Sequence, residues 1–195
     1  MVTTGVSRVT PQFTLSDEIF QARRITVTDC YQCAKCSAGC PLTFAMDRLP
    51  HEIIRLAGLG QTEAVLGATT IWVCSACETC TTRCPNDIDI AGVMDYLKER
   101  AVAAGRTVPQ PQVLAFHRAF LEDIRLAGGR LNEPLLLGLY MLKSGQGLKK
   151  LQTGALMEDV RLGLKMFKKG RLSLRPPRRW QNLEGLGQLW RKPRP

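Results

Sequence analysis

The chain has 195 residues, 45% of them hydrophobic, with 27 Lys+Arg against 17 Asp+Glu. That apolar content suits one compact domain with an appendage and argues against global disorder. The longest aliphatic stretch, 135–142, falls short of the about 20 residues a bilayer span needs. Residues 1–13 lack the apolar run of a secretory leader, so a soluble, cytoplasmic protein is expected.

Strand-like alternation is nearly absent, and the elements read as helices. The first is expected over 17–25, with Ser16 as N-cap. Residues 50–57 form the next, with Pro50 in the first turn and Gly58 at the end. A single turn is expected over 62–66, capped by Thr62 and stopped by Gly67. Ile90, Val93, Met94, Leu97 and Ala101 recur at helical spacing, with Asp89 as N-cap and Gly105 as the stop. Pro109-Gln-Pro111 marks a linker. Beyond it, Val113, His117, Phe120, Leu121 and Ile124 share a helix face that ends at Gly128-Gly129. A short apolar helix follows over 134–143. Leu156, Val160, Leu164 and Phe167 form a last stripe. Glu158 and Asp159 lie in its first turn and Lys165, Lys168 and Lys169 in its last, as the helix dipole favours.

The charge is uneven. Residues 1–142 carry 13 Lys+Arg against 14 Asp+Glu, whereas 143–195 carry 14 against 3. The basic tail, 171–195, is therefore a solvated extension or a docking segment for an acidic or membrane-bound partner.

All eight cysteines fall in two runs: Cys30-Tyr-Gln-Cys33-Ala-Lys-Cys36-Ser-Ala-Gly-Cys40-Pro41 and Cys74-Ser-Ala-Cys77-Glu-Thr-Cys80-Thr-Thr-Arg-Cys84-Pro85. Each is C-x2-C-x2-C-x3-C-P, the ligand pattern of bacterial [4Fe–4S] proteins, whose fourth cysteine serves the other cluster. Three cysteines three residues apart wrap one corner of a cubane, and the proline turns the fourth away. The expected sets are crossed: cluster I on Cys30, Cys33, Cys36 and Cys84, and cluster II on Cys74, Cys77, Cys80 and Cys40. Structural zinc normally uses paired two-cysteine knuckles, and a reducing compartment disfavours disulfides.

Around the ligands, Pro41, Pro85 and Trp72 are candidate cofactor-binding residues, with Ile71 and Trp72 shielding a cluster from water. Lys35 and Arg83 are placed to raise a potential and Glu78 to lower one, unless they are solvated loop charges. Ser37, Ser75, Thr79 and Thr81 are candidate donors to cluster sulfur. His51 and His117 read as structural. There is no G-x-G-x-x-G, no G-x-x-x-x-G-K-[ST] and no Ser/His/Asp set or carboxylate pair. No catalytic residue is therefore assigned. A cubane with four cysteine ligands has no open iron, which leaves electron transfer.

The long helical insert between the runs resembles the α-helical ferredoxin domain. Ile71-Trp72-Val73-Cys74, then Cys84-Pro85-Asn-Asp-Ile-Asp-Ile-Ala-Gly-Val-Met entering a helix, is similar to the C-type subunit of heterodisulfide reductase. So is Met166-Phe167-Lys-Lys-Gly170-Arg-Leu-Ser-Leu. The resemblance is strong over 28–105, weaker to about 175 and absent at both ends. It implies an all-α protein: an extension at 1–27, the dicluster domain at 28–105, a helical region at 106–170 and the tail. It also implies a relay between a flavin-containing A-type subunit and a catalytic B-type subunit. Two alternatives stand beside it: the iron–sulfur subunit of a quinone- or 2-hydroxyacid-linked dehydrogenase, and a cluster-containing nucleic-acid binder. For the latter, basic residues interleave with aromatics only near Trp180 and Trp190, so no nucleic acid is expected.

Overall fold

Helix is the only regular structure among the described residues of the computed structural model, which cover 10–147 and 155–171. The basic stretch 172–195, with Trp180 and Trp190, lies outside them. The chain divides into two compact units, Met1–Gln110 and Pro111–Pro195.

In the first unit, α1 (Thr14–Arg23) begins three residues before the expected start, with Phe13 as N-cap. Ser16 is not the cap. It sits inside the first turn, and its hydroxyl donates to the Phe13 carbonyl at 2.9 Å. Leu15 and Ile19 are the cause, because burying both needs helix from Thr14 onward. Arg24 ends α1 in the left-handed region at φ 60. Two one-turn helices, α2 (Lys35–Ala38) and α6 (Thr79–Thr82), lie inside the cysteine runs.

Between the runs stand α3 (Pro50–Gly58), α4 (Thr62–Leu66) and α5 (Thr69–Val73). At α3, Pro50 fills the first turn and the Glu52 carboxylate accepts the Leu49 N–H at 2.7 Å. At α4 the N-cap is Gln61, not Thr62, whose hydroxyl instead donates to the Gly60 carbonyl at 3.4 Å.

The centre of this unit is α7 (Ile90–Ala103), which packs on α1, α3, α4, α5 and α6. Its stripe of Val93, Met94, Leu97 and Ala101 is buried against a core that includes Leu15, Ile19, Ile53, Ile54, Val65, Leu66 and Ile71. Asp89 caps it as expected, accepting the Gly92 N–H at 2.8 Å. Gly60 marks a close approach: at φ 68, a methyl group there would lie 1.3 Å from the Gln12 carbonyl oxygen. Segment 10–12 thus lies directly over it, with Gln12 donating to the Leu59 carbonyl at 3.0 Å.

The second unit contains α8 (Pro111–Leu126) and α9 (Glu133–Lys143), which pack together. The buried stripe of α8 is Ala115, Ala119 and Asp123, while Phe120 and Leu121 of the expected face are exposed. Alanines at i and i+4 present little bulk, so they fill the closest approach while the larger side chains lie to the side. Phe116 meets Tyr140 edge-on at 6.0 Å, and Lys143 pairs with Glu122 at 2.6 Å. Asp123 accepts the Asn132 N–H at 2.8 Å, and Asn132 in turn caps α9 through the Leu135 N–H at 3.3 Å. A further helix, α10 (Ala155–Lys168), has Glu158 in its first turn and Lys165 and Lys168 in its last. Val160, Leu164 and Phe167 are exposed on it. The side chain of Leu156 lies outside the described residues.

Candidate metal centre

The two cysteine runs repeat in backbone as well as in sequence. Gln32 and Ala34 adopt left-handed φ values of 62 and 59, and the residues at the same offsets in the second run, Ala76 and Glu78, adopt 52 and 61. Each left-handed non-glycine residue costs about 1–2 kcal/mol. Two per run, in register, mark a backbone held by its surroundings rather than by local preference. Alternation of this kind turns successive N–H groups inward, a concavity that suits anionic groups, iron–sulfur clusters among them. Each run then closes with its one-turn helix, α2 carrying Cys36 and α6 carrying Cys80.

The runs meet each other. Helix α2 packs on α6, and Gly39 lies under Arg83: a methyl group at Gly39 would sit 2.6 Å from Arg83 Cδ. Gly39 and Arg83 occupy the same position of the two runs. Where equivalent positions face each other, one side chain fits and two do not.

Cys40, from the first run, lines one cavity with Cys74, Cys77 and Cys80 of the second. Leu42, Met46, Pro50 and Met94 complete an apolar wall around those thiols. At the other end, the Asn86 side-chain amide donates to the Asp29 carbonyl, which ties the chain just past Cys84 to the residue before Cys30. Partial desolvation, then the Cys33, Cys84 and Cys30 thiols, push the Tyr31 phenol above its ordinary value. Among the described residues no three Cys, His, Asp or Glu side chains converge tightly enough for a single ion.

None of the eight cysteines forms a disulfide. Burial pushes Cys36 and Cys74 upward and takes Cys80 up to about 11. Cys77 is exposed and drawn down by the Thr79 hydroxyl, 3.4 Å from its sulfur. A raised thiol is protonated at neutral pH, while the thiolate is the form that binds metal, so loading this site releases protons. Four thiols in an apolar lining fit an iron–sulfur cluster.

The surrounding candidates separate. Pro41 and Pro85 are exposed, as are Lys35, Glu78 and Arg83. Ser75 and Thr79 line the cavity. The Thr81 hydroxyl is taken up elsewhere, donating to Asp89 at 3.2 Å and accepting the Ala91 N–H at 3.3 Å. Ile71 and Trp72 are buried, and the Trp72 indole N–H has no hydrogen-bond partner among the described residues. Ser37 Oγ lies 2.7 Å from His51 Nδ1 and accepts the His51 backbone N–H at 3.1 Å. His51 thus braces the loop of Cys36. His117 is exposed on α8.

Three further contributors join the site from outside the motifs or between their cysteines. Lys98, nearly buried on α7, donates to the Cys74 carbonyl at 3.0 Å and pairs with Asp95 at 3.1 Å. Asp47 accepts the N–H groups of Thr69 at 3.0 Å and Thr70 at 2.9 Å, and so supplies the cap that Ala68 cannot give to α5. Gln32 touches the Cys30 sulfur at 3.2 Å. Of the three, only Gln32 carries a signal in the sequence: the repeat places Ala76 where the first run has an amide.

Residues 26–88 match the 4Fe-4S dicluster domain family. The chain is 30% identical over 94 residues to the C-type subunit of the H(2):CoB-CoM heterodisulfide,ferredoxin reductase of Methanothermobacter marburgensis, which is 48% of this chain and 51% of that one. It is 32% identical over 80 residues to the second C-type iron-sulfur subunit of the CoB–CoM heterodisulfide reductase of Methanocaldococcus jannaschii, 41% of this chain and 42% of that one. Against the C-type subunit of the ferredoxin:CoB-CoM heterodisulfide reductase of Methanosarcina acetivorans the figures are 32% over 76 residues, 39% and 30%. The first of these matches spans about half of the relative's length.

Proposed function

From a chain whose residues 26–88 carry the 4Fe-4S dicluster domain, we propose an electron-transfer subunit of a heterodisulfide reductase-like complex. It holds two [4Fe–4S] clusters on crossed ligand sets: Cys30, Cys33, Cys36 and Cys84 for one, Cys74, Cys77, Cys80 and Cys40 for the other. The observation that carries this is Cys40 standing in the same cavity wall as Cys74, Cys77 and Cys80. A fourth ligand drawn from the opposite run locks the two halves together, and the packing of α2 on α6 keeps the two sites adjacent.

Each cluster, when bound, supplies a one-electron couple. The apolar residues Leu42, Met46, Pro50 and Met94 line the second site. The protein passes electrons between a flavin-containing A-type subunit and a catalytic B-type subunit in the cytoplasm. The names of the relatives support the choice of complex over a quinone-linked or 2-hydroxyacid dehydrogenase. No helix among the described residues is long and apolar enough to cross a membrane. The dicluster domain occupies 28–105 and a helical region 106–170, with 1–27 and 171–195 flanking them.

Anaerobically purified protein is expected to carry about eight iron and eight acid-labile sulfide and to bleach with dithionite. Zinc without sulfide refutes the assignment. Cys40→Ser should alter the signal that Cys77→Ser alters, and Cys84→Ser the one that Cys33→Ser alters. Pairing within a run refutes the crossing.

A further inference from the structure

The two runs share a backbone but not their side chains, and the difference at one position bears directly on a ligand sulfur. Gln32 Nε2 lies 3.1 Å from the His51 carbonyl oxygen and 3.2 Å from Cys30 Sγ. A carbonyl oxygen only accepts, so the contact with His51 fixes the orientation of the amide: its nitrogen, not its oxygen, faces both partners. One N–H goes to His51 and the other to the sulfur. The anchor is itself held, because His51 lies in the first turn of α3 and Ser37 accepts its backbone N–H at 3.1 Å.

The equivalent residue of the second run is Ala76, with the same left-handed backbone and no donor. The second run has a different set of neighbours. Lys98 points its ammonium at the Cys74 carbonyl rather than at a sulfur, and Asp95 pairs with it at 3.1 Å. There the Thr79 hydroxyl, at the start of α6, lies 3.4 Å from Cys77 Sγ, a hydroxyl contact in place of an anchored amide. Glu78 adds a negative charge there, where the first run has Ala34 at the equivalent position.

A donor on a ligand sulfur stabilises the reduced form, in which more negative charge rests on sulfur. On the two-cluster reading above, we propose that Gln32 raises the reduction potential of the cluster held by Cys30. Gln32 acts as a positioning and tuning residue through the ligand and touches no substrate.

The test is a redox titration of the loaded protein followed by electron paramagnetic resonance, with iron and sulfide measured on every sample. Cys30→Ser identifies which signal belongs to the first run. Gln32→Ala, which copies the second run and suits the same backbone, is expected to lower only the potential of the signal that Cys30→Ser identifies. The shift should be about tenfold in the ratio of oxidised to reduced, or about 59 mV for a one-electron couple. Gln32→Glu keeps the length and removes the donor, and should shift the same potential in the same direction. Unmoved potentials, equal movement of both, or movement of the other signal alone overturns the proposal while leaving the two clusters standing. Protein without iron and sulfide overturns both.

Discussion

Asp47 shows how a short helix far from any sequence cap is held in place. Helix α5 has five residues, begins after Ala68 and delivers Cys74 at its C-terminal end. Its first amides have no local acceptor. The Asp47 carboxylate takes Thr69 N–H at 3.0 Å, Thr70 N–H at 2.9 Å and the Thr70 hydroxyl at 2.8 Å. Removing a helix cap costs about 0.5–2 kcal/mol. The Thr70 hydroxyl is fully buried but retains the Arg48 carbonyl as an acceptor, so it adds no orphaned donor. Asp47 itself is exposed, which keeps the value in the lower half of that range. Asp47→Ala should therefore destabilise the loaded protein by about 1 kcal/mol in urea denaturation, and chelator should bleach it faster. The pH dependence has a definite sign. Burial pushes this carboxyl up, but the Thr70 hydroxyl and the Thr69 and Thr70 amides outweigh it and hold it below its ordinary value. A depressed carboxyl stabilises above its unfolded pKa, about 3.9, and loses that contribution as pH falls through the folded value. The gap between wild type and variant should stay constant from about pH 8 to 5 and narrow only below about pH 4. A midpoint unchanged by the substitution, or a gap that closes between about pH 6 and 7, would refute the capping argument.

Gly60→Ala should cost about 2 kcal/mol or more, since it adds left-handed strain to a collision with Gln12. It should also expose residues 10–12 to protease; a variant as resistant as wild type contradicts the close approach. Asp89→Ala removes the acceptor of both Gly92 N–H and the Thr81 hydroxyl and should cost about 1–2 kcal/mol in urea denaturation. Leu97→Ala, at a fully buried position on the central helix, should cost about 2–5 kcal/mol. By contrast, Arg23→Ala breaks a surface pair with Glu99 at 2.8 Å and should shift stability by less than about 1 kcal/mol. If the last two variants proved equal, the assignment of the core to α7 would be wrong.

Much of this is legible in the residues alone. The stripe from Ile90 to Ala101 and the cap at Asp89 are local facts, and local spacing reports them faithfully. Ser16 and Thr62 mislead because a hydroxyl near a helix start suits either the cap or the first turn. Burial of Leu15 and Ile19 chooses the turn for Ser16. On α8, Phe120 and Leu121 signal a face that the small residues Ala115 and Ala119 occupy instead, since spacing reports hydrophobicity but not how closely helices approach.

At the metal centre the division is sharper. The thiols, their number and the two-fold repeat of the runs are written in one dimension, because each run builds its own loop from neighbouring residues. The partners of those loops are not. Gln32 finds His51 nineteen residues away, Asp47 finds Thr70 twenty-three away, and Lys98 finds Cys74 twenty-four away. Hydrogen bonds between such distant residues depend on how helices pack. Only the folded chain, by setting α3, α5 and α7 around the cysteine loops, decides which amide, carboxylate or ammonium reaches them.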